Sequence, residues 1–122
     1  MDGWPGARPP LKLSMETTMF IDHRTYTLKN GNIQPFLKLY EAEGMEVQVR
    51  ILGKMVGYYF SDIAPLNQVV HMWGYDSMDD RWERRKALQA SPEWQAYAVK
   101  MRPLVDHIEN KILIPAPFFK VP

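Results

Sequence analysis

The sequence predicts an α+β domain: a four-stranded antiparallel sheet with helices on one face. Three observations lead there. Strand-like and helix-like segments follow one another in the order β-α-β-β-α-β, turn residues fall between them, and two serines stand where helices should begin. The chain has 122 residues, which suits one domain with a real core.

The first strand is FIDHRTYTL, residues 20–28, an alternating run rich in β-branched and aromatic residues. Lys29-Asn30-Gly31 is a turn signal. Ile33, Phe36, Leu37, Tyr40, Gly44, Val47 and Ile51 then follow helical spacing, with Pro35 in the first turn, where proline is tolerated. Gly53 closes that helix. MVGYYFSDI (55–63) is the second strand, Ala64-Pro65 turns the chain, and NQVVHMWGYD (67–76) is the third strand.

Ser77 opens the next helix. Its hydroxyl suits the amide near Asp80, and Asp79 and Asp80 suit the positive helix start. In SPEW, residues 91–94, Ser91 caps again with Pro92 at the first position. Trp94, Tyr97, Ala98, Met101 and Val105 share one face, and Pro103 limits the helix. HIENKILI (107–114) is the fourth strand, stopped by Pro115. The order is the ferredoxin-like split βαβ unit. Residues 1–18 differ, with Pro5, Pro9 and Pro10 and little periodicity. They read as a flexible N-terminal extension, or as sequence upstream of a start at Met15 or Met19, leaving 19–122 as the domain.

Four strands covered on one face leave the other bare. An apolar face in water is unfavourable by ~25 cal/mol per Å², so a second sheet should cover it, and a homodimer is the simplest supplier. Composition removes several function classes. Net charge is +1, so no global basic field argues for nucleic acid. There is no cysteine, which removes disulfides, zinc-thiolate sites and thiol nucleophiles and fits a cytoplasmic setting. No apolar run approaches the ~20 residues of a membrane helix, and the N-terminus lacks the apolar core of a secretory signal.

The segments DHRTYTLKNGNIQPFLKLYEAEG (22–44), APLNQVVHMWGYDSMDDRWERRKALQASPEWQAY (64–97) and ENKILIPAPF (109–118) resemble the NIPSNAP family. The pattern VVHxWxYxS, a charged helix and then SPEWxxY carries most of the likeness, which spans about residues 19–119. The resemblance implies a dimeric α+β barrel, two sheets facing each other around a cavity. The wider superfamily includes cofactor-independent monooxygenases, haem-degrading enzymes, dye-decolourising peroxidases and small-lactone isomerases. For NIPSNAP itself the resemblance implies no settled reaction. Its animal members look mitochondrial and have been linked to vesicle transport or mitophagy.

Site candidates follow from the strand faces. Val70, Met72 and Gly74 are the plainer set and are expected against the helices, with Gly74 allowing close approach. His71, Trp73 and Tyr75 are then expected to face a partner sheet, joined by Arg24 and Tyr26 from the first strand, by either Tyr58 and Phe60 or Tyr59 and Ser61 from the second, with Tyr59 taken as the ligand contact, and by Glu109 or Asn110 from the fourth. In this reading His71 moves a proton, Arg24 stabilises developing negative charge, and Tyr26, Tyr59, Trp73 and Tyr75 hold a small organic ligand. The plainer alternative makes His71 a core histidine and Arg24 an ion-pair partner of Asp22, Glu41 or a partner's carboxylate. His23 falls on the other strand face and His107 at a strand start, so both read as structural. The histidines lack close metal spacing, and no phosphate loop, triad order or nucleotide fingerprint is present, so neither metal nor cofactor is expected. RWERRK, residues 81–86, reads as charges scattered over a solvated helix face, paired with Asp79, Asp80 and Glu83. Three functions stay open: small-ligand binding between the sheets of a homodimer, a monooxygenase- or isomerase-like enzyme, and a non-enzymatic scaffold.

Overall fold

Alternating β-formers and well-placed caps produce the predicted order. The computed structural model describes residues 19–122; the proposed extension, residues 1–18, lies outside the described residues. Strand β1 is Phe20–Leu28. Helix α1 (Ile33–Leu39) runs through a π-helical turn, Tyr40–Gly44, into α2 (Met45–Leu52). Strands β2 (Lys54–Phe60) and β3 (Gln68–Tyr75) follow, then α3 (Met78–Ala90), α4 (Pro92–Met101), a 3-10 turn at Arg102–Leu104, and β4 (Val105–Leu113). The sheet is antiparallel with order β2-β3-β1-β4.

Both serine caps form. Ser77 Oγ accepts from the Asp80 amide at 3.0 Å, and Ser91 Oγ accepts from the Trp94 amide at 3.2 Å. Gly53 ends α2 at φ 96°, a left-handed value that glycine adopts without strain. The predicted single first helix is instead interrupted by its π-turn. The Tyr97 ring lies 2.9 Å from where a Cβ on Gly44 would stand, so the turn brings bare backbone against an aromatic face. The second strand stops at Phe60, three residues earlier than predicted. There the Ser61 amide donates to the Gln68 carbonyl and the Ser61 hydroxyl accepts from the Gln68 amide, which begins the turn.

One face of the sheet packs on the helices. Tyr26, Val69, Trp73 and Tyr75 are buried there with Phe36, Tyr40, Val47, Leu52, Leu88, Trp94 and Tyr97. This reverses the predicted faces. His71, Trp73, Tyr75, Arg24 and Tyr26 lie toward the helices; Val70, Met72 and Gly74 lie on the open side. The reason is area. A large ring buries most apolar surface in the closed layer, so the rings go inward and the smaller side chains stay out. Gly74 accordingly meets Met19, Val56 and Lys54 rather than a helix.

Candidate functional site

The residues singled out from the sequence largely belong together. In the ladder Arg24 pairs with His71 on one side and Asn110 on the other, so all three side chains share the helix-facing side. Asp22 pairs with Trp73 and Tyr26 with Val69 on that same side. Tyr59 is the exception. A register shift between Met55 and Gly57 puts Tyr58 opposite His71, and Tyr59 opposite Val70 on the open face, where it is 59% exposed.

His71 is 1% exposed and clamped between two rings. Tyr26 meets it edge-on and Tyr58 stacks on it, each at 4.8 Å between centroids. Trp73 Nε1 donates to His71 Nδ1 at 2.8 Å. An indole nitrogen only donates, so Nδ1 must be unprotonated and a neutral His71 carries its proton on Nε2. Burial, helped by the Arg24 charge, pushes the imidazole pKa down to about 3 and keeps it neutral. His71 Nε2 is buried and has no partner among the described residues. His71 is therefore a neutral N–H donor at Nε2, and its Nδ1 is taken up by Trp73.

Tyr75, 1% exposed, leaves its hydroxyl buried and equally without a partner. Burial pushes its pKa up against the pull of Arg85, so it stays a phenol able to donate. Tyr26 packs edge-on against Phe36, and with Trp73 it holds His71 rather than forming an open wall.

Asp22 is fully buried. Its Oδ1 accepts from Asn110 Nδ2 at 2.9 Å, and its Oδ2 from Arg81 Nε at 3.0 Å and Arg24 Nη1 at 3.3 Å. Burial pulls the carboxyl up, but the Asn110 bond and the Arg24 and Arg81 charges outweigh it and hold it below the usual carboxylate range.

Two arginines here were missed in the sequence. RWERRK does not scatter wholly to solvent. Arg84 pairs with Asp80 at 2.8 Å and Lys86 lies 3.9 Å from Glu83, but Arg81 turns inward to Asp22 and Arg85 is partly buried beside it. The available signal was spacing. Arg81, Arg85 and the buried Leu88 sit at i, i+4 and i+7, the core-facing stripe of a helix. His23 lies on the open face, beside a hollow of about 200 Å³ lined by Thr25, Glu109, Asn110 and Lys111. Among the described residues no group of three or more His, Asp or Glu is placed to hold a metal, and no helix is long and apolar enough to cross a membrane.

A four-stranded antiparallel sheet with one helical layer, enclosing a buried histidine and an arginine-carboxylate cluster, makes this a ferredoxin-like α+β domain. Solved structures agree at the level of fold. A chain from Nitrosomonas europaea classed among the antibiotic biosynthesis monooxygenases is 11% identical, covers 85% of this chain and 96% of its own, and has a TM-score of 0.63. The family is closer: residues 21–120 match NIPSNAP, and the chain belongs to that family. A NIPSNAP family protein of unknown function from Agrobacterium tumefaciens is 48% identical, with 86% of this chain and 95% of that chain covered and a TM-score of 0.84. A NipSnap protein of Caenorhabditis elegans is 31% identical over 93% of this chain and 20% of its own length. The chain spans less than half the length of the first curated relatives it matches.

Proposed function

We propose that this NIPSNAP domain binds a small organic ligand, and that the site lies between the sheet and α3 rather than between two sheets. One observation carries the reading: His71 Nε2 and the Tyr75 hydroxyl are buried polar atoms without partners in the same layer. Leaving each bare is unfavourable by about 1–3 kcal/mol, and buried polar atoms in native proteins almost always meet protein, water or ligand. Arg24 is the register partner of His71 and supplies charge beside it.

The roles change with the geometry. His71 and Arg24 suit stabilisation of negative charge on a bound group, and an enzymatic version of this reading would use them as electrophiles, not as a base. Tyr75 contributes a donor. Tyr26 and Trp73 position His71, and Tyr59 serves the open face. That face carries the half-buried Val70 and Met72 and the exposed Tyr59 without helices over it, which supports a homodimer joined sheet to sheet. A cytoplasmic setting, which the cysteine-free composition fits, belongs to the same reading.

The test is to purify the chain, denature it and analyse released small molecules by mass spectrometry, beside Tyr75→Phe and Arg24→Gln. A molecule released from the parent chain and depleted in both variants is expected. If the parent releases nothing and no member of a broad metabolite set raises its melting temperature, the scaffold reading replaces this one.

A further inference from the structure

The polar end of the layer is unbalanced in charge and in hydrogen-bonding sense. Two guanidiniums, Arg24 and Arg81, pair with one carboxylate, Asp22, and a third, Arg85, follows Arg81 one turn along α3. The Arg24 and Arg81 side chains are only 11% and 15% exposed. Both Asp22 oxygens are already occupied. Arg85 has no hydrogen-bond or ion-pair partner among the described residues, and burial followed by the Arg24 charge lowers its pKa. Formally two positive charges are left over in a layer where an unpaired charge is expensive.

The atoms still looking for partners are donors. The guanidiniums cannot accept, and His71 offers an N–H and Tyr75 an O–H. The complement to such a set is an oxyanion. Arg85 stands one turn after Arg81 on α3, Arg81 reaches Asp22, and Tyr75 follows Trp73, the register partner of Asp22, on the same face of β3, so these groups belong to one end of the layer.

The same end is open. On β4 the helix-facing positions are Ile108, Asn110 and Ile112, opposite Tyr26, Arg24 and Asp22. All three are exposed, so the helical layer stops short of this strand. Asn110, which reaches Asp22, therefore stands between two uncovered isoleucines.

We propose that this end of the layer is an oxyanion site, in which Arg24, Arg85 and the Tyr75 hydroxyl hold the charged head of a small organic acid while Ile108 and Ile112 carry its apolar body. The proposal rests on the ligand-binding reading above and adds the ligand's class. A carboxylate and a phosphate monoester share the required chemistry, and a guanidinium fork binds either one in two-point fashion.

The experiment is calorimetry on the full chain with four probes: benzoate, phenyl phosphate, benzamide and inorganic phosphate. Benzoate or phenyl phosphate should bind, and the stronger of the two identifies the head group. Benzamide should not bind, and inorganic phosphate should bind more weakly than phenyl phosphate. Arg85→Gln should weaken acid binding by about ten- to a hundredfold, the loss of one charge-assisted hydrogen bond. It should also melt at or above the parent in acid-free buffer, because it removes a surplus buried charge; this shows that the variant folds. Equal binding of benzamide and benzoate would overturn the oxyanion class while leaving a ligand site standing. Unchanged acid binding in Arg85→Gln would overturn the placement, as would a change of oligomeric state in that variant, which would mean a partner's carboxylate fills the site. If no probe binds and no small molecule is released on denaturation, both readings fall.

Discussion

The layer between sheet and helices has two ends that solve burial differently. At the β2–β3 end, Tyr40 stacks on Tyr58 at 4.6 Å, Tyr58 stacks on His71, and Tyr97 meets Tyr40 edge-on. The Tyr40 hydroxyl donates to Gln48 at 2.6 Å, so even the polar tip there is satisfied. At the β1–β4 end, by contrast, the side chains are charged: Arg24 and Arg81 pair with one carboxylate, Asp22, and Arg85 follows Arg81 one turn along α3. The first end is complete in itself. On the proposal above, the second is completed by a group that accepts. Stability should therefore be concentrated in the aromatic end and recognition in the charged one, with His71 at the seam.

The sharpest way to break this division is Asp22→Ala. It leaves Arg24, Arg81 and Asn110 without their shared acceptor and should cost about 3–5 kcal/mol, the usual result of removing one member of a buried charge network. Denaturant unfolding measures it; a loss under 1 kcal/mol would mean the cluster is solvated in practice. A pH series then separates the two ends. His71 is held neutral when folded, with a pKa near 3, whereas an unfolded histidine takes a proton near pH 6.5. Between those values the unfolded chain binds more protons, so stability falls as pH falls, by about 1.4 kcal/mol per pH unit. Asp22 acts lower down. Its folded pKa is depressed, so its contribution is present above the unfolded value of about 3.9 and is lost as pH drops through the folded one. Unfolding free energies measured from pH 7 to 2 should show both phases, and His71→Gln should abolish only the upper one.

Much of this was legible beforehand, for identifiable reasons. Strand β1 begins and ends where the alternation of FIDHRTYTL does, because period-two patterning and ladder pairing are the same constraint. Ser77 and Ser91 are local devices, read from three or four residues. The grouping of Arg24, His71, Trp73 and Tyr75 on one face was also readable, since strand parity fixes it. Which way that face points is not a local property. It depends on the helices filling the layer with Phe36, Leu88, Trp94 and Tyr97, and smaller residues on the wrong parity misled the assignment. Tyr58 and Tyr59 were open alternatives, and a register shift, which no pattern around them announces, puts Tyr58 rather than Tyr59 beside His71. Arg81 and Arg85 looked solvated because charge dominated the reading of α3, although their spacing with Leu88 places them inward.

Gly44→Ala probes the aromatic end alone. A methyl group there would stand 2.9 Å from the Tyr97 ring, which is buried and also packed against Trp94 at 4.9 Å, so it has little room to give. Overpacking of this kind should cost about 1–3 kcal/mol, measured by thermal unfolding, while ligand affinity at the charged end stays unchanged. A loss of binding without a loss of stability would show that the two ends are not separable.

The smallest effect on the isolated fold is expected on the open face, and it is informative because it is small. Tyr59 is 59% exposed, and its ring lies over Gly57, 2.6 Å from where a Cβ would be, and beside Met72. Tyr59→Ser removes apolar surface from the side that neither end of the layer uses. Unfolding of the dilute chain should change by no more than about 0.5 kcal/mol, the usual range for exposed positions. Sedimentation equilibrium should nevertheless show weaker self-association, because in a sheet-to-sheet dimer this ring would be buried. If dissociation is unchanged, the dimer contact lies elsewhere. The uncovered edge at Ile108 and Ile112 would then be the next surface to vary, and acid binding would have to be measured again in that background to separate a partner's contribution from the ligand's.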